Sequence, residues 1–216
     1  MNVAVTGADR PMGAMLCRRL ATRHEVIPIG TAGKSDHELG SSGAYRPTDL
    51  NQPPAAADGI RGADIIVHAQ PHDPAIGDGA AGEAQLLERI SRGTYVLAQA
   101  AVEAGIGRLI LISQISLFDT VSVDFVVTAD WQPRPAPQAT SLAPYMAELV
   151  CREIARVGLI EAVALRMGEL DEVGGTSADD AVAAVEEALA ADPASGGYLW
   201  SQRHVVSGGY GAPGRD

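Results

Sequence analysis

The sequence predicts an α/β fold, a doubly wound parallel sheet in one domain. Three observations carry that prediction. Strand-length apolar runs (NVAVT, EVIPI, ADIIVHA, RLILIS, IEAVALR) alternate with longer amphipathic stretches along the whole chain. Such alternation calls for parallel pairing, with crossover helices on both faces of the sheet. The 216 residues suffice for a full core, and no repeat, linker or second domain divides them. With 46% hydrophobic and 20% charged residues, the composition is ordinary for a globular chain.

The elements follow in order. Residues 2–6 read as a buried strand, and 12–22 as a helix with Met12, Met15, Leu16 and Leu20 on one stripe. A second strand covers 25–29, followed by a Gly/Ser-rich loop over 30–42. Residues 44–45 and 48–50 mark a short third strand or its exit, and 53–60 hold one or two helical turns. The run ADIIVHA, 63–69, is a strong buried-strand signal. A Pro/Gly loop over 70–81 leads to a long helix over 82–104, which Gly105 ends. Another strand covers 108–113, and Pro133, Pro135 and Pro137 mark an extended loop within 120–140. A helix over 141–157 stops at Gly158, and a strand follows over 160–166. The helix over 177–191 has Ser177 or Thr176 as N-cap and Asp179 and Asp180 in its first turn. Residues 197–201 and 204–206 close the sheet, so the domain spans 1–207 and 208–216 is a loose, glycine-rich tail.

Charge and composition exclude several classes. A net charge of -11 argues against a broad basic face for nucleic acid, and 4% aromatic content leaves little for base stacking. No apolar run approaches the ~20 residues of a membrane span. The start has no secretion-signal pattern, so a cytoplasmic location is expected. Cys17 and Cys151 fall on predicted helices and read as reduced core thiols.

The stretch TGADRPMG, Thr6–Gly13, carries the first functional signal. A strand, a glycine turn and a helix form a dinucleotide fingerprint. Gly7 makes the tight turn, and Gly13 lets the helix pack close to the strand. The helix N-terminus offers free N–H groups and partial positive charge to a pyrophosphate. Pro11 suits the first helical turn. The middle glycine is missing: Arg10 stands there, to pair with a phosphate or to obstruct one. The competing reading is a helix-start turn that holds no ligand.

Taken together, the segments resemble the short-chain dehydrogenase/reductase superfamily, in its extended or atypical branch of NAD-dependent epimerases and dehydratases. TGADRPMG is similar to TGxxGxxG, and DIIVHAQ, Asp64–Gln70, to the strand end DVVIHLAA. ISRGTYVLAQAAVEAGIGRLILIS, Ile90–Ser113, resembles NvxGTxnlLeAAxxaGvxrfvyiS. LRMGEL, Leu165–Leu170, looks like the segment beside the nicotinamide, and TSADDAVAAVEEAL like the late vDDvA helix. The resemblance implies a Rossmann-type fold and cofactor contacts from Gly7, Ala8, Asp9, Arg10, Met12 and Gly13. It adds the Asp49–Leu50 pair at the adenine, His68, Ala69 and Gln70 at the strand end, and Met167 beyond the sheet. It also implies a homodimer through the helices over 82–104 and 141–157, and a small-molecule substrate.

The departures bear on catalysis. The family's acid/base pair is YxxxK, and Tyr145 fits the tyrosine, but position 149 is Leu. The sole lysine, Lys34, lies far off after the second strand. An unassisted tyrosine ordinarily titrates at about pH 10, too high to serve as a base at neutral pH. The competing reading of Tyr145 is a ring packed against the preceding loop. In SQISLFD the catalytic serine position falls on Gln114, with Ser113 and Ser116 as neighbours, of which Ser113 is the candidate, and Phe118 stands for the usual tyrosine. Arg152 lies two turns, roughly 10 Å, beyond Tyr145 and does not replace the lysine. The cofactor is NADP or NAD. The second strand ends Ile29-Gly30-Thr31 without the acid that binds NAD ribose, and Arg10 and Lys34 tilt the choice toward NADP. His68, His72 and Asp73 do not complete a metal site, because Pro71 breaks their spacing. Two functions stand: an NAD(P)-binding relative with impaired or altered catalysis, or a non-catalytic scaffold or cofactor-sensing subunit. A third option, chemistry through His68 or Glu148, requires a pocket around those residues.

Overall fold

In the computed structural model, residues 1–69, 79–122, 124–192 and 198–207 are described. The elements are β1 (Asn2–Thr6), α1 (Pro11–Leu20), β2 (Glu25–Gly30), β3 (Arg46–Pro47), α2 (Pro53–Gly59), β4 (Ile65–His68), α3 (Gly79–Glu103), β5 (Arg108–Gln114), α4 (Ala139–Arg156), β6 (Glu161–Met167), α5 (Ala178–Ala190) and β7 (Trp200–Val205). The seven strands pair in parallel in the order β3-β2-β1-β4-β5-β6-β7. The order reverses between β1 and β4, and ligands of such sheets bind outside the carboxyl ends of the strands at that point. The result is a single-domain Rossmann-like fold.

Each face has its own core. Ile66 and Leu97 belong to the one shared by α2, α3 and α4, and Leu16, Ile110 and Val185 to the one under α1 and α5. The central strands are buried on both sides, as their unbroken apolar runs require. Cys17 and Cys151 are buried and unbridged, and burial pushes both thiols up to about 12. Ser177 caps α5 by accepting from the Asp180 amide at 3.1 Å.

Several boundaries differ from the sequence reading, and three bear on the site. The third strand is only two residues, Arg46–Pro47, because Pro47 and the exit at Thr48 leave little ladder to form. A single 3₁₀ turn, Ile115–Phe118, follows β5, where the apolar run read only as the end of a strand. Helix α4 begins at Ala139 instead of 141, which moves Pro144 from its first turn into its second. Proline supplies no N–H for the helical ladder, but Pro144 is buried there. The tail 208–216, together with Gln70, His72 and Asp73, lies outside the described residues. Among the described residues no helix is long and apolar enough to cross a membrane.

Candidate functional site

A cleft of about 540 Å³ opens at the carboxyl ends of β1, β4, β5 and β6. Arg10, Pro11 and Met12 form one wall, and Ala69, Ser113 and Gln114 the floor. Met167 and the loop after it close the far side. That loop folds tightly on itself: a Cβ on Gly175 would stand 2.0 Å from the Glu169 carbonyl oxygen.

The glycine turn is built as its spacing requires. Gly7 has φ +70, a conformation that favours glycine. A Cβ on Gly13 would lie 2.1 Å from the Gly7 carbonyl oxygen, so α1 starts hard against the turn. Arg10, at the missing glycine, has φ -125 and ψ 155. That is extended backbone open to any residue, so the turn does not depend on a third glycine. Pro11 gives no N–H, which leaves Met12 and Gly13 as the first amides of α1 free to point out of its N-terminus.

Asp9 does something its position in the motif did not announce. Its Oδ2 accepts from the Thr31 amide at 3.0 Å, the Ala32 amide at 2.8 Å and the Thr31 hydroxyl at 3.2 Å. Its Oδ1 is buried without a hydrogen-bond partner and lies 2.5 Å from where a Cβ on Gly30 would be. A carboxylate therefore stands at the end of β2, delivered from the glycine turn. The Tyr45 hydroxyl lies beside it and donates to the Ala32 carbonyl at 2.7 Å. Burial, then the Asp9 charge, pushes the Tyr45 phenol up to about 12. Ser35 Oγ donates to the Ala8 carbonyl at 2.8 Å, which pins the loop after β2 across the turn.

The other expected cofactor contacts divide. Ala69 and Met167 line the cleft. His68 does not: its Nδ1 meets Thr6 Oγ1 at 2.7 Å and its Nε2 meets Thr94 Oγ1 at 3.0 Å, which ties β1, β4 and α3 together. Burial lowers its pKa to about 4, so the ring is neutral and structural. Leu50 is buried in the core under α3, while Asp49 is exposed and accepts from the Asn51 amide.

The catalytic end is arranged differently. Ser113 lies in the cleft but donates its hydroxyl at 2.6 Å to Glu148 Oε1 of α4. Arg166 of β6 then clamps both Glu148 oxygens, at 2.9 Å and 2.8 Å. Glu148 and Arg166 are each 3% exposed, so the pair is largely buried, at the edge of a second cavity. Arg166 also donates to the Ala129 carbonyl and packs its guanidinium on the Phe118 ring. Tyr145 is half-buried against Leu117, Phe118 and Val127. Tyr145 and Leu149 line that second cavity, not the cleft that holds Ser113. The structure thus does not bring Tyr145 and Ser113 into one pocket. The Glu148 carboxylate and the His68 ring, the residues considered for alternative chemistry, have all their polar atoms engaged inside the protein. Sequence reasoning missed Arg166, and the available signal was an arginine within the apolar strand VALRM.

Comparison with known proteins fits this geometry. Residues 3–171 match the profile of the NAD dependent epimerase/dehydratase family. The chain belongs to that family. No curated protein matches it significantly. Among solved structures it is similar to UDP-glucose 4-epimerase of Thermus thermophilus in complex with NAD, with 16% identity, a TM-score of 0.79, and coverage of 95% of this chain and 78% of that one. It is also similar to uronate dehydrogenase of Agrobacterium tumefaciens, with 20% identity, a TM-score of 0.77, and coverage of 94% and 76%. At such identities these neighbours establish the fold alone. For a family that depends on NAD, the residues here fit the cofactor at one end of the cleft: a tight glycine turn, free helix-terminal amides and an unpaired carboxylate oxygen at the end of β2.

Proposed function

We propose that this member of the family binds NAD in the cleft but lacks the tyrosine–lysine proton transfer of its superfamily, so its catalysis is impaired. One observation carries the reading. The serine that would help polarise a substrate is committed to Glu148, and Glu148 to Arg166, inside a closed pair. Leu149 in place of lysine and the burial of Tyr145 against a different cavity point the same way.

The choice of NAD over NADP rests on Asp9. A carboxylate at the end of β2 accepts hydrogen bonds from ribose hydroxyls and repels a 2′-phosphate. Lys34, the cation that favoured NADP in the sequence, is exposed and paired with Asp36 at 3.0 Å. Arg10 lines the cleft, and its charge also reaches Tyr45 near the end of β2. When bound, NAD would supply hydride chemistry, and of the superfamily's proton-transfer groups Ser113 is engaged by Glu148, Tyr145 lines another cavity and position 149 is Leu. The test pairs calorimetric binding with turnover. Saturable NAD binding is expected, with no NADH consumption above background across ketones and aldoses. Steady turnover in wild type that is lost in Tyr145→Phe would overturn the reading. The alternative, a cofactor-sensing subunit acting through protein partners, is favoured by the same engaged serine.

A further inference from the structure

The second cavity, about 600 Å³, shares no lining residue with the cofactor cleft. It lies on the α4 side of the sheet, over the start of β7. The register explains why a hollow forms. Trp200 pairs with Ala162 and Gln202 with Ala164, while His204 pairs with Arg166, the residue that reaches up to α4. Side chains of one register line share a face, so two alanines of β6 leave space beside a tryptophan and a glutamine of β7.

The walls are unusual for this chain. It has only two tryptophans and five tyrosines. Both tryptophans, Trp131 and Trp200, line the cavity, together with Tyr145 and Tyr198. Aromatic walls favour a planar apolar ring in offset or edge-on contact. The charges are as uneven. Arg166 is fully engaged by Glu148 and Ala129. Arg152 spends only its Nε, on Glu153 at 3.2 Å, and its terminal nitrogens have no partner among the described residues. A guanidinium edge free beside aromatic walls suits a carboxylate in fork geometry. Glu148, which also lines the cavity, is neutralised by Arg166, and Asp130, exposed and 3.5 Å from Gln202 Nε2, adds an uncompensated negative charge. It disfavours a second anionic group.

We propose that this cavity is a separate ligand site for an aromatic monocarboxylate, with the ring held by Trp131 and Trp200 and the carboxylate by Arg152. The site does not depend on the cofactor cleft. Because both tryptophans line it, intrinsic tryptophan fluorescence reads it directly. Benzoate is the probe, with benzyl alcohol as its neutral analogue and phthalate as its dianion. Benzoate is expected to give a saturable change at millimolar concentration or below, in keeping with so small a ligand. Benzyl alcohol on wild type, and benzoate on Arg152→Gln, should each bind about tenfold more weakly. Phthalate should bind more weakly than benzoate, and saturating NAD should leave the benzoate curve in place. Arg152 is a partly exposed helix residue, and matching melting curves for wild type and variant would show that the fold is intact. A change that never saturates overturns the proposal. So does equal binding of benzoate and benzyl alcohol, or an unchanged benzoate affinity in Arg152→Gln. Displacement by NAD would merge the cavity with the cofactor cleft. Concentration-dependent self-association that blocks benzoate would assign the cavity to a second copy of the chain.

Discussion

The two ends of the cleft differ in what the sequence has kept. At the glycine turn, Gly7 and Gly13 hold the tight geometry, and the lost middle glycine sits in extended backbone where any residue fits. Even the missing acid of β2 has a counterpart in the Asp9 carboxylate. At the α4 end, the polar groups that would do chemistry hold one another, and Ser113 meets the cleft with its hydroxyl already donated. Ser113, Glu148 and Arg166 satisfy one another between the cleft and the second cavity. The difference teaches that nucleotide binding and proton transfer rest on separate parts of this fold.

The sharpest way to break that contrast is to open the pair. Removing one partner of a buried ion pair leaves an uncompensated charge, so Glu148→Ala should lower stability by about 3–5 kcal/mol in chemical denaturation. A double variant, Glu148→Leu with Arg166→Met, should recover most of that loss, as apolar replacements of buried pairs do. If the single change were neutral, the pair would not be the closed core element described here. At the other end, Gly13→Ala forces a Cβ into the Gly7 carbonyl. Its expected penalty is about 1–3 kcal/mol, with loss of NAD binding by titration.

Acid tests the histidine clasp between the two ends. His68 takes up a proton near pH 6.5 when unfolded but only at about 4 when folded. The unfolded chain therefore binds more protons in that window, and stability rises with pH across it. From His68 alone, stability should fall by about 3 kcal/mol as the pH drops from neutral toward 4; burial also lowers His204 to about 4, so the comparison is made in a His204→Gln background. Flat stability over this range would mean that His68 is not held neutral. The smallest effect belongs to Asp9→Asn. It should leave the melting temperature nearly unchanged and reduce the preference for NAD over NADP about tenfold, read as the ratio of the two dissociation constants.

Much of the fold was legible because its signals are local. Buried parallel strands show as unbroken apolar runs, and Ser177 announces its helix by capping chemistry alone. Gly7 and Gly13 were readable for the same reason, since their spacing is the geometry. What stayed hidden depends on contacts across the sheet. Glu148 and Arg166 are 18 residues apart and meet only because α4 lies over β6. Asp9 reaches Thr31 across 22 residues of chain. His68 read as a cofactor contact because the strand end points at the cleft, but Thr6 and Thr94 hold its ring within the core. Tyr145 fitted its motif by spacing, while the turn Ile115–Phe118 packs its ring toward a different cavity.

The most direct test is calorimetric titration of the purified protein with NAD and NADP. Micromolar binding of NAD, about tenfold or more weaker for NADP, would show that the glycine turn and Asp9 still form a working nucleotide site. No heat of binding for either up to about millimolar concentration would mean that the turn survives only as part of the fold, and would contradict the proposal.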